Sequence, residues 1–293
     1  MRCETVLRQL DRYRTGEASR SIRDSVEAHL AGCRGCAAEL TGLRTLAAGF
    51  SRLRTTAPRE LMQNVKEKSM DKYGRVETEL GIVWVAFNER GITMILPGGG
   101  SASAFEEAYL RRRFRLAQPA PVPESYALSV KRAAAGDPLR HPRLDLEGLR
   151  PFERKALPLL LSIPRGEVRP YFWLAREAGN PRAVRAVGTA MARNPLPLLL
   201  PCHRVVPAEG GVGNYAFGSG MKRTLLEREG VPLAELDGLA RSGVRYLGCK
   251  STGIYCFPTC HDARRMKPQN RLPFGGTEQA AASGYRPCQH CRP

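Results

Sequence analysis

Leu200-Pro201-Cys202-His203-Arg204-Val205-Val206 is the stretch on which the reading of this chain turns. One cysteine follows an apolar run and a proline, and a histidine stands directly after it. Burial among apolar groups raises a thiol's pKa and leaves it inert. A neighbouring base turns the same thiol into a nucleophile. A lone cysteine is more often a small core residue, so the motif has to be weighed with what surrounds it. Asn194-Pro195 precedes it, and Gly210-Gly211-Val212-Gly213-Asn214-Tyr215 follows. Residues 222–229 read KRTLLERE. Upstream stand Ile163-Pro164-Arg165-Gly166-Glu167, then Tyr171, then Arg185-Ala186-Val187-Gly188.

In this order the blocks resemble the alkylguanine-DNA alkyltransferases, which remove alkyl groups from the 6-oxygen of guanine. The resemblance is dense over residues 152–230 and thinner over 70–150. It implies Cys202 as the alkyl acceptor, His203 as a base acting through a water, and Glu229 as the group that orients His203. It implies that Asn194 braces the turn around Cys202, and that Val205 and Tyr215 shape the substrate pocket. Tyr171 stands where the family has a tyrosine that helps rotate the nucleotide and donates a proton to guanine. Arg185 stands where an arginine fills the vacated base stack. Such a base must leave the duplex before a side chain can reach it. The product is a thioether with no easy leaving route, so each protein reacts once per site, and no organic cofactor is needed.

The chain has 293 residues and a formal net charge of +18, room for two or three domains. The basic charge is spread over every segment. That suits a well-solvated surface or a polyanionic partner, with double-stranded DNA the obvious one. No apolar run is long enough to span a bilayer. The charged opening MRCETVLRQLDRYR lacks the apolar stretch of a signal peptide. The expected location is cytoplasmic, with no membrane partner. There, nine cysteines point to metal or catalysis before disulfides.

Two cysteine clusters stand apart from Cys202. His29, Cys33 and Cys36 give H-x3-C-x2-C, with Cys3 as a possible fourth ligand, a set that suits tetrahedral zinc. The alternative is a helical hairpin whose thiols bind nothing. The phrase VEAHLAGCRGC resembles the zinc finger of bacterial anti-sigma factors, which implies a sigma factor or another transcription protein as partner. Near the C-terminus, Cys256 and Cys260 form C-x3-C, and Cys288 and Cys291 form C-x2-C after a gap of 27 residues. Two close pairs of thiolates are a strong zinc signal. Residues 245–293 resemble the zinc domain of Ada-type proteins, which accepts methyl groups from DNA phosphotriesters; this implies Cys256 as a second acceptor. Phe257, His261 and the pair Gln289-His290 depart from the family pattern, which bears on DNA contact more than on the metal. Cys249 lies outside the ligand set and reads as a spare thiol.

The expected architecture is multidomain α+β. A helical zinc finger occupies 1–55, an α/β subdomain 70–150, a catalytic winged helix-turn-helix-like domain 151–232, and a small zinc domain 245–293. Residues 51–75 read as a linker. A β-hairpin is expected to turn near residues 88–91, followed by a helix over 103–116 and a loop over 119–123. Further helices are expected over 151–161, 171–178 and 183–192, the last two as a helix-turn-helix. The last carries small residues at Ala183, Ala186, Gly188 and Ala190. Small side chains there suit either a close approach to DNA in the minor groove, as the resemblance implies, or tight helix packing. A competing function is transcriptional regulation: methylation of the C-terminal centre would be the signal and the N-terminal finger the contact to the transcription machinery.

Overall fold

A computed structural model describes residues 1–56, 70–137 and 142–293, with the side chains of 50–56 outside the description. The chain divides into two compact units, Met1–Ser69 and Met70–Pro293. Most of the expected linker, residues 57–69, lies outside the described residues. Its first residues are helical and its last belong to a strand.

The first unit holds three helices: α1 (Cys3–Thr15), α2 (Arg20–Gly32) and α3 (Arg34–Thr56). Gly16 ends α1 in the left-handed region, φ 79°, and its N–H bonds back to the last turn, a backbone state that costs glycine nothing. The core is Val6, Leu10, Val26, Cys36 and Leu40. Val6 is fully buried while its neighbour Leu7 is 47% exposed. One residue is 100° of helix, enough to turn a side chain from core to solvent.

The second unit opens with a four-stranded sheet in the order β3-β2-β1-β4. Its strands are β1 (Asp71–Thr78), β2 (Gly81–Asn88), β3 (Gly91–Pro97) and β4 (Ala117–Pro119). The expected β2–β3 hairpin is present, with Asn88 paired to Gly91 across the turn. A second hairpin joins β1 to β2. Helix α4 (Ala102–Arg113) is started by Ser101, whose hydroxyl accepts from Ala104 N, a standard N-cap. Helix α5 (Glu124–Ala134) follows the proline-rich loop and was not anticipated. Its buried residues are Val130, Ala133 and Ala134, a stripe too short and alanine-rich to stand out in a sequence.

Helices α6 (Pro151–Leu159), α7 (Tyr171–Glu177) and α8 (Val184–Arg193) pack together. A parallel pairing of β5 (Arg169–Pro170) with β6 (Val205–Val206) ties the start of α7 to the strand after Cys202. Helices α9 (Ser219–Arg228) and α10 (Leu233–Arg241) complete this part. The C-terminal sheet has the order β10-β8-β7-β9, from β7 (Tyr246–Cys249), β8 (Ile254–Cys256), β9 (Arg271–Phe274) and β10 (Arg286–Pro287). The short helices α11 (His261–Arg264) and α12 (Thr277–Ala282) flank it. This segment does not have a core of its own. Cys256, Phe257, Cys260 and Cys291 belong to one continuous cluster with Leu174, Trp173, Val187 and Cys202. The expected boundary near 245 therefore marks a change of local architecture inside one packed unit. Among the described residues no helix is long and apolar enough to cross a membrane.

Candidate active site and metal centres

Cys202 begins a 3-10 turn, Cys202–Arg204, directly after Pro201. The chain reaches it from the end of α8 through Leu196, Leu198, Leu199 and Leu200, all buried. Leu198 has φ 73°, a left-handed backbone that costs a non-glycine residue about 1–2 kcal/mol. Asn194, the last-turn cap of α8, holds this bend. Its Nδ2 donates to Leu200 O at 2.8 Å and to Cys202 Sγ at 3.2 Å, and its Oδ1 accepts from Leu196 N at 3.0 Å. Cys202 is 4% exposed. Burial pushes its thiol pKa up, while the Asn194 hydrogen bond, the Lys222 charge and Tyr215 pull the other way.

His203 Nε2 lies 2.9 Å from Glu229 Oε1. A carboxylate can only accept, so Nε2 carries the proton and Nδ1 is the basic nitrogen. Nδ1 is buried and has no protein partner. Burial lowers the His203 pKa against the pull of Glu229, which keeps the ring neutral and able to take a proton. Burial alone would raise Glu229, but hydrogen bonds from His203 and Arg204 hold it at about 2. Arg204 donates to both Glu229 oxygens at 2.8 Å and to Ile163 O at 2.6 Å.

Tyr171, at the start of α7, is half-buried; burial and the nearby Cys202 raise its pKa, so its hydroxyl stays protonated at neutral pH. The Tyr215 hydroxyl is buried; burial first, then the neighbouring Cys202, hold its pKa well above the ordinary value, and Val205 is buried beside the turn. On α8, Arg185 and Ala186 are exposed and Ala183 half-buried. A Cβ built at Gly188 meets no atom within 4 Å. Space is thus open at Gly188 and Ala186 is exposed, whereas Ala190 is buried and packs inside the chain. The sequence reading passed over Lys222. It is 1% exposed and its Nζ donates to Val205 O at 2.6 Å. Burial lowers its pKa to about 8, against the pull of Cys202. Its signal is positional: Lys222, Leu225 and Leu226 share one helix face, so a charge falls where the pattern calls for an apolar residue.

Two sulfur-rich clusters converge. Donor atoms of Cys3, His29, Cys33 and Cys36 lie within 4.8 Å of one another, as do those of Cys256, Cys260, Cys288 and Cys291. Both donor sets fit tetrahedral zinc. His29 Nε2 is buried with no hydrogen-bond partner, as a nitrogen reserved for a metal must be. All four C-terminal cysteines are buried, Cys256 completely at 0% exposure. Phe257, one of the departures from the Ada-type pattern, packs on Phe172 and Tyr246 with ring centroids at 6.3 and 5.5 Å.

Three sequence profiles match the chain. Residues 151–231 match the DNA binding domain of 6-O-methylguanine DNA methyltransferase, residues 239–293 the metal binding domain of Ada, and residues 3–37 a zinc-finger family. Residues 151–231 are thus similar to the DNA binding domain of the 6-O-methylguanine DNA methyltransferases, and are followed by a segment similar to the Ada metal-binding domain and preceded by one similar to a putative zinc finger. The bifunctional transcriptional activator/DNA repair enzyme Ada of Escherichia coli (strain K12) is 38% identical over 163 residues, 54% of this chain and 45% of that protein. The human methylated-DNA–protein-cysteine methyltransferase is 45% identical over 116 residues, 39% of this chain and 55% of its own length. A crystal structure of Mycobacterium tuberculosis OGT in complex with DNA aligns at 30% identity over 54% of this chain and 92% of that chain, TM-score 0.45. The chain spans about half the length of the curated relatives it matches.

Proposed function

We propose that this protein repairs double-stranded DNA by moving the alkyl group of 6-O-alkylguanine irreversibly onto Cys202, with residues 151–232 as the catalytic, DNA-binding part. The observation that carries the reading is the His203–Glu229 pair beside the buried thiol. It has the order of nucleophile, base and orienting carboxylate that covalent catalysis needs. His203 takes the Cys202 proton through a water, and the Lys222 charge and Asn194 amide stabilise the resulting thiolate. Sulfur attacks the alkyl carbon as the carbon–oxygen bond breaks and the electron pair returns to guanine. Tyr171 supplies the guanine with a proton and regains one, through solvent, from the proton that His203 took up, so the net change moves the thiol proton to the base and the alkyl group to sulfur. Arg185 occupies the gap left by the flipped base, and the small face at Ala183, Ala186 and Gly188 lets α8 lie close to the groove. Val205 and Tyr215 line the base pocket. In the test, the protein is exposed to methylated duplex and its peptides are mapped by mass spectrometry. One methyl is expected on Cys202, and Cys202→Ala should abolish guanine repair. Repair that survives this substitution sinks the reading.

Bound zinc would keep the C-terminal sulfurs as thiolates at neutral pH. Cys256 as acceptor from a methylphosphotriester rests on the resemblance of its surroundings, and its complete burial means that a phosphate could reach it only after the packing around Phe257 opens. The finer partner of the N-terminal finger, a sigma factor or another transcription protein, rests on resemblance alone. Co-purification on the immobilised full chain tests it, with a Cys33→Ser chain as the control that should lose the partner. A regulatory role is compatible with repair.

A further inference from the structure

Residues 163–177 carry Tyr171 and touch Glu229's helix, yet much of their support comes from the zinc-binding segment. The Trp173 Nε1–H donates to Cys291 O at 2.9 Å, on one of the four cluster cysteines. Arg176 donates to Pro293 O at 3.1 Å and to Arg292 O. Thr259, between Cys256 and Cys260, accepts from Val168 N at 3.0 Å and donates to Val168 O at 3.2 Å. Glu167 is buried; one carboxylate oxygen pairs with Arg169 and the other accepts from His261 N at 2.9 Å. The Arg169 guanidinium lies over the rings of both Trp173 and Phe257. Gly166, at φ 77°, passes so close that an added Cβ would lie 3.0 Å from Glu229 O and 3.1 Å from an Arg264 nitrogen.

Two elementary limits give these contacts weight. A seven-residue helix such as α7 is not stable by itself and takes its order from packing. A segment of about 50 residues is marginal by itself, and a structural metal adds directly to its folding free energy. In this chain the dependent helix and the metal-dependent segment share one core. The two departures from the Ada pattern nearest Cys256 lie in that interface: Phe257 is buried by its ring, and His261 joins it through its backbone N–H while its side chain remains exposed.

We propose that the C-terminal zinc module is a fixed buttress of the guanine-repair site, so that the order of residues 163–177, and with it alkyl transfer to Cys202, depends on the metal held by Cys256, Cys260, Cys288 and Cys291. The proposal rests on the assignment of Cys202 as acceptor for its activity arm only. In the full-length protein, a zinc chelator should raise amide hydrogen exchange across residues 167–177 by roughly tenfold or more. It should slow transfer to Cys202 in parallel, with both effects reversed by adding zinc back. A Cys33→Ser chain, altered in the other cluster, should show the same exchange at 167–177 as the parent. Thr259→Val keeps the metal ligands and removes both bonds to Val168; with zinc still bound, it should reproduce part of both effects. Unchanged exchange, or an unchanged transfer rate, after loss of C-terminal zinc overturns the proposal. Failure of the zinc-loaded protein to alkylate Cys202 would count against the repair reading instead, and the exchange measurement would still decide the buttress.

Discussion

Lys222 is the residue whose role is most open to a direct measurement. It is a buried cation that lowers the pKa of a thiol which burial has raised. Lys222→Gln keeps an N–H for Val205 O and removes the charge. The Cys202 pKa should then rise further, so the rate of reaction with free alkylguanine should climb at a higher pH than in the parent, by about one unit. In the parent, Lys222 itself loses its proton above about 8, so its help fades in alkali and the two profiles should converge there. A pH–rate profile that does not move removes Lys222 from thiolate stabilisation. Cys202, His203 and Glu229 were legible in the sequence because each stands in a distinctive block. Lys222 was not, because a lysine in KRTLLERE looks like solvated charge until the face it occupies is known to be buried.

At the scale of the element, α8 separates two explanations for its small residues. Gly188 lies inside the helix with open space at its Cβ. Gly188→Ala should therefore stabilise the fold by up to about 1 kcal/mol, read as a rise in Tm. Gly188→Gln should leave Tm near the parent and weaken binding to duplex DNA at least several-fold, because the longer side chain keeps the helix from the groove. Equal DNA affinity for Gln and Gly leaves this face without a role in binding. Arg185→Ala should slow repair of duplex more than reaction with the free base, since only a flipped base has to be held out of the stack. Equal losses would make Arg185 structural. Helix positions here were readable from Pro, Gly and Asn-Pro punctuation; α5 escaped because its apolar stripe is short and made mostly of alanine.

At the scale of the whole molecule, the two cysteine clusters predict two zinc ions per chain, measured by elemental analysis of undenatured protein. One ion or none would remove a site. The N-terminal cluster is the easier to lose, since Cys3 is exposed and starts the first helix, where order is weakest. The charge of +18 predicts DNA affinity that falls steeply with salt. A shallow dependence would indicate few phosphate contacts.

The sequence by itself determined which residues are candidates for the chemistry, the two cysteine-rich ligand sets and most helices. These depend on local spacing, on turn residues and on a few distinctive words. The tertiary structure alone decided the tautomer of His203, the burial of Lys222, the open space at Gly188 and the absorption of residues 245–293 into the core of their neighbour. Each of these depends on which distant surfaces meet. A change such as Phe257 reads as a weakened DNA contact in the sequence and becomes a packed ring once Phe172, 85 positions earlier, lies against it. Burial and hydrogen-bond satisfaction are properties of the assembled chain, because the groups that desolvate or pair a side chain come mostly from elsewhere in it.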